Sequence, residues 1–262
     1  MCKRAILLSL VILLSVYPLT SCGNNMQSPS NSDTNDLSES VYPTHLQKQE
    51  DMGQEYIDSF VFLGESTTSH MKSRGVLSGG TKTDQVWTTK SGTLMLDLST
   101  ADCRIIYPKT GEELDLAEAM KRKQPKYMLL TFGLNGATKT VSKGEDYFKS
   151  CYNKLINTLL KASPKTVIIL GSCFPVAKNM DMSNHSVDAQ TLNSYINTIN
   201  QWAYELAEER SLGYLNTAEI LKDEDGFLLE KYQVGDGYHL TKEAYVEILK
   251  YIRTHSYLTK EV

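Results

Sequence analysis

Residues 57–64 read IDSFVFLG, a short apolar run that stops at a glycine, and the same form returns at 126–133 (KYMLLTFG) and 166–171 (TVIILG). Runs this short, with an apolar centre and a closing glycine, are what strands buried on both faces of a parallel sheet require. Between and after them the sequence turns helical, at 114–123, 145–161, 189–210 and 241–255, and residues 212–216 (LGYLN) add a weaker strand. Strand and helix alternate, which predicts an α/β sandwich with helices on both faces of a parallel sheet. In such sheets ligands bind outside the carboxyl ends of the strands. Two segments show no clear period: 77–107, with Gly79-Gly80, Trp87 and Ser91-Gly92-Thr93, and the polar stretch 174–187 that follows a strand. Long loops at strand ends are where substrate walls are built.

The remaining sequence bounds this domain. A chain of 262 residues that is 41% hydrophobic can bury one sizeable core. Its formal charge is −4, and removal of residues 1–21, which hold Lys3 and Arg4 but no acid, takes it to −6. That balance argues against a nucleic-acid partner.

Lys3 and Arg4 precede a 12-residue apolar run at 5–16, broken by Ser9 and Ser15. The run is too short for an ordinary membrane span and stands where the core of a signal peptide stands. Leu19-Thr20-Ser21-Cys22 follows and resembles a bacterial lipobox, whose cysteine carries the lipid. Residues 1–21 are thus read as a lipoprotein signal, and 22–52, rich in Ser, Asn, Asp and Gln, as a lipidated cysteine with a flexible polar tether. The folded domain is expected at 53–262. Cys103, Cys151 and Cys173 remain in it, with no metal-site spacing and at most one disulfide among them.

Three short elements could carry chemistry. Gly64-Glu65-Ser66 closes the first strand where a helix plausibly starts, and a serine there lies at the strand edge with its own amide at the positive helix end. Alone, the same residues also read as a serine helix cap. Asp236-Gly237-Tyr238-His239 sets a carboxylate three residues before an imidazole, close enough to accept its Nδ1 proton and leave Nε2 as a base. Alone, it also reads as an Asp-Gly turn ahead of a helix capped by Thr241. Gly133-Leu134-Asn135-Gly136 ends another strand, where an asparagine amide can donate to an oxyanion or simply shape a turn.

In chain order, Gly64-Glu65-Ser66, Gly133-Leu134-Asn135 and Asp236-Gly237-Tyr238-His239, and over roughly residues 56–257, the three elements resemble the first, third and last blocks of the SGNH hydrolases, the GDSL esterase and lipase family. The resemblance implies a flavodoxin-like three-layer α/β/α sandwich and a serine mechanism without metal or cofactor. It implies Ser66 as nucleophile, His239 as general base and Asp236 as its orienting carboxylate. The Ser66 amide and Asn135 would line the oxyanion hole, joined by a glycine amide of the family's second block, for which Gly92 is the choice and Gly80 the alternative. Glu65 departs from the family's usual Asp, and Gly136 stands where the third block usually has Asp. His45, His70, His185 and His255 fall in no matching motif and receive no role.

The expected protein is an exported monomer, held by its lipid on the outer side of a membrane. Its expected activity is hydrolysis of acyl esters, with O-acetyl groups on glycans as the leading substrate. The rival readings are a glycan-binding lipoprotein on the same fold with little or no turnover, and an O-acyltransferase.

Overall fold

The computed structural model describes residues 44–183 and 186–257. The residues read as signal peptide (1–21), the expected lipid site Cys22 and the expected tether as far as residue 43 lie outside the described residues, as does His185. The folded domain begins earlier than its composition implies. The Leu46 amide donates to the Tyr214 carbonyl at 3.0 Å, the Tyr214 amide donates to the Thr44 carbonyl at 2.6 Å, and Leu46 is buried. Residues 44–46 thus cover an otherwise open strand edge some 170 positions away, a pairing that polar local composition does not signal.

Helix α1 (Gly53–Asp58) leads into β1 (Phe60–Gly64), and α2 (Ser66–Ser73) follows at once. Then come β2 (Val86–Trp87), a hairpin of β3 (Arg104–Ile106) and β4 (Glu113–Asp115), α3 (Leu116–Lys123), β5 (Tyr127–Thr131), α4 (Ala137–Lys143) and α5 (Glu145–Ala162). Strand β6 (Val167–Gly171), α6 (Ala189–Glu209), β7 (Gly213–Leu215) and α7 (Lys242–Thr254) complete the domain. The main sheet has the order β2-β1-β5-β6-β7 and every pairing in it is parallel.

Each strand feeds two cores. Phe60 and Phe62 of β1, Leu129 of β5 and Ile169 of β6 join the layer of α1 and α7, where Ile57, Tyr245, Ile248 and Ile252 are buried. Val61, Leu63, Leu130 and Leu170 join the opposite layer with α3, α5 and α6. Alternate residues serve alternate faces, so a strand buried on both sides is apolar at every position. The expected three-layer α/β/α sandwich is therefore the fold of the chain.

The helices follow the same logic. In α5 the buried Phe148, Cys151, Tyr152, Leu155, Ile156 and Leu159 recur at helical spacing and form one stripe. Asp188 caps α6 by accepting the Thr191 amide at 2.7 Å, and Thr241 caps α7 by accepting the Ala244 amide at 3.3 Å. The helix expected from 114 begins at Leu116, because Glu113–Asp115 pairs with Arg104–Ile106 instead. The unperiodic segment 77–107 contributes β2 and β3, both too short to show a period. Cys103, Cys151 and Cys173 are free thiols, and the last two are buried.

The chain passes from β1 to β2 on one side of β1 and then to β5 on the other. Connections leaving adjacent strands in opposite directions open a crevice at their carboxyl ends. Gly64 and Thr131, paired in register, mark that point.

Candidate active site

Ser66 is the first residue of α2, directly past Gly64. A side chain at position 64 would fall on the Thr68 hydroxyl and on the Thr131 carbonyl oxygen, so glycine is what lets α2 start this close to β5. The helix accepts its first bonds through the Glu65 carbonyl, from the Thr68 amide at 3.0 Å and the Ser69 amide at 3.1 Å. The Ser66 amide precedes them and is not used by the helix.

His239 arrives from the turn before α7. Its Nε2 lies 3.0 Å from Ser66 Oγ, and its Nδ1 lies 2.7 Å from Asp236 Oδ2. The other Asp236 oxygen accepts the Tyr238 and His239 amides at 3.1 and 2.9 Å. Burial pushes the Asp236 carboxyl up, but those two amides and the His239 ring outweigh it and hold the group below its ordinary value. Gly237, between carboxylate and imidazole, has φ +84°, and a Cβ there would stand 2.6 Å from Met180 Cβ. Hydroxyl, imidazole and carboxylate, 173 residues apart at the extremes, thus meet in one line.

Glu65 explains the departure from aspartate. Its carboxylate is buried and accepts three amides in succession: Gly133 at 2.9 Å, Leu134 at 3.1 Å and Asn135 at 3.0 Å. The longer side chain spans from the end of β1 to the loop after β5 and clamps it. Burial pushes this carboxyl up to about 7 against the pull of the three amides.

Asn135 is brought to the same cleft, but its Nδ2 donates to Thr93 Oγ1 and to the Leu94 carbonyl, each at 3.0 Å. The side chain ties the loop after β5 to the 93–94 segment. Gly92 also lines the cleft, with a corrected role: its amide donates to the Thr89 carbonyl at 3.0 Å, closing a turn, and is not free for an oxyanion. Gly80 is no substitute, since its amide donates to Leu77 O at 2.9 Å and it lies outside the cleft wall. Gly92, the candidate for the family's second-block glycine amide, is the turn residue that its φ of +77° favours.

The cleft holds about 770 Å³ and opens beside Ser66 and His239. Its lining includes the hydroxyl residues Ser69, Ser91, Thr93, Ser99 and Thr100 and the acid Asp97, beside the apolar Leu94 and Met95. Sequence reasoning missed His70, which lines the cleft and packs on His239. Its position four residues after Ser66 on a helix was the available signal.

A serine hydroxyl, an imidazole and a carboxylate joined in this way at the carboxyl edge of a parallel sheet have the form of a serine hydrolase site. Residues 62–246 match the GDSL-like Lipase/Acylhydrolase family, and the chain belongs to it. It is accordingly an acylhydrolase of a carboxylic ester hydrolase family. Among curated proteins none matches. Solved structures resemble it distantly. One, named for the G-D-S-L family, is from Desulfitobacterium hafniense: 18% identity, 74% of this chain and 97% of that one, TM-score 0.44. Another, described as of SGNH type, is from Slackia heliotrinireducens: 12% identity, 75% and 97%, TM-score 0.49. A third is a catalytic mutant of an acetylxylan esterase from Geobacillus stearothermophilus: 15% identity, 76% and 94%, TM-score 0.39.

Proposed function

We propose that the protein is a surface-anchored serine esterase that removes O-acetyl groups from glycans. Ser66 Oγ attacks the ester carbonyl while His239 Nε2 takes its proton, and Asp236 stabilises the imidazolium that forms. The Ser66 amide and Asn135 Nδ2 receive the oxyanion, Asn135 exchanging one of its bonds to the 93–94 segment for the new one. His239 returns the proton to the leaving sugar oxygen, and water then releases acetate by the same steps.

The observation that carries this reading is the unbroken Ser66–His239–Asp236 chain of contacts at the edge of a hydroxyl-lined cleft. A sugar presents several hydroxyls at once, and side-chain hydroxyls both donate to and accept from them. The basic start, apolar run and Cys22 support a lipid-anchored position outside the cytoplasm.

The test is acetate release from a panel of acetylated glycans by the wild-type protein and by Ser66→Ala. Loss of release in the variant supports the reading. Equal rates would sink it, and loss of acetyl from the donor that depends on an added acceptor, with the acetyl appearing on that acceptor and not as free acetate, would identify a transferase.

A further inference from the structure

His70 carries an imidazole that the mechanism above does not use. Its ring centroid lies 4.4 Å from that of His239, with the planes at 41°. Ser66 and His70 stand one helical turn apart on α2, so nucleophile and second imidazole share one face of one rigid element. His239 comes from a turn far away in sequence and meets that face twice, through Ser66 Oγ at 3.0 Å and through the His70 ring. The neighbouring Tyr238 ring lies 4.2 Å from it as well. The bonds to Asp236 and Ser66 hold the two ring nitrogens, and the His70 ring packs on the His239 ring between them.

The state of His70 matters as much as its place. Its Nδ1 is buried and has no hydrogen-bond partner. A proton there would be a buried N–H without an acceptor, which favours the neutral ring protonated on Nε2. The groups that act on it are Arg74, just past the end of its helix, and His239 and Asp236 in the turn before α7, while Asp97 and Cys103 line the same cleft. Burial, then His239 and Arg74, hold its protonation below the ordinary histidine range, and Asp236 opposes them.

We infer that His70 is a positioning residue for the hydrolysis: its neutral ring keeps His239 aimed at Ser66, and a proton on it opposes the imidazolium that His239 must become. Two like charges at ring contact in a half-buried cleft repel, so a charge on the His70 ring opposes a charge on the ring it packs against. The inference rests on the proposed roles of Ser66 and His239.

The test uses the full-length protein in detergent with p-nitrophenyl acetate, comparing wild type, Ser66→Ala, His70→Ala and His70→Phe from pH 4.5 to 8. At pH 8, His70→Ala is expected to lose about tenfold in kcat with little change in KM. His70→Phe, which restores a flat ring, should recover at least half of that loss on a logarithmic scale. A His70→Ala enzyme as active as wild type, or no recovery with phenylalanine, would overturn the inference. A second measurement is independent of turnover: in the NMR titration of the imidazoles, His239→Gln should move the His70 midpoint up. An unmoved midpoint overturns the coupling even if no substrate is turned over. Ser66-independent turnover, by contrast, counts against the proposed function itself.

Discussion

The Glu65 carboxylate accepts the Asn135 amide at 3.0 Å, so the residue beside the proposed nucleophile holds the backbone of the proposed oxyanion donor. Two strand ends that are neighbours only in the folded sheet are locked together by one buried acid.

That clamp makes Glu65→Gln informative. The amide nitrogen of glutamine cannot accept, so at least one of the three loop amides loses its partner, at a cost of about 1–3 kcal/mol. Activity should fall with stability, because Asn135 moves with the loop. Chemical denaturation and p-nitrophenyl acetate turnover would report both. An unchanged midpoint and rate would refute the clamp.

The same residue predicts a pH effect. The folded carboxyl sits at about 7 against an ordinary 4.5, so the native state binds this proton more tightly than the unfolded chain does. Its contribution is full below about 4.5 and is lost as pH rises through 7, at about 1.4 kcal/mol per pH unit inside that window. Wild type should therefore gain on the order of 2 kcal/mol relative to Glu65→Gln between pH 7.5 and 5. Denaturant titrations of both proteins at the two pH values check the sign.

Ser66→Ala should lower kcat at least about 10⁴-fold, and Asp236→Asn by a similar order, since the amide cannot hold the required His239 tautomer. Steady-state kinetics with circular dichroism as a folding control decide it. Retention of more than a tenth of the wild-type rate by either variant contradicts the assigned roles.

Asn135→Ala should cost about 10²–10³-fold in kcat if its Nδ2 serves the oxyanion. Its bonds to Thr93 and Leu94 are a competing account, which Thr93→Val tests. A Thr93→Val loss as large as that of Asn135→Ala would assign the effect to wall anchoring.

Cys22→Ser should abolish metabolic labelling with palmitate and release the protein to the medium. Labelling that persists refutes the lipid site.

The fold was legible because its evidence is local. The runs at 57–64, 126–133 and 166–171 announce buried strands through their apolar centres, and the long helices at 145–162 and 189–209 announce themselves through their stripes. Strands β2 and β3 escaped since two or three residues hold no period, and residues 44–46 because their partner is the distant β7 edge.

By itself the sequence determined the layered architecture, the glycine-bounded strand ends and the order of Ser66, Asn135, Asp236 and His239, all of which follow from periodicity, turn chemistry and motif order. Tertiary structure alone decided which groups meet. It bonded Asn135 Nδ2 to the 93–94 segment, engaged the Gly92 amide in a turn, made Glu65 a clamp and set His70 against His239. Spacing along a chain limits what can be local, but hydrogen bonds and ring contacts between distant segments depend on how the strands are ordered in the sheet.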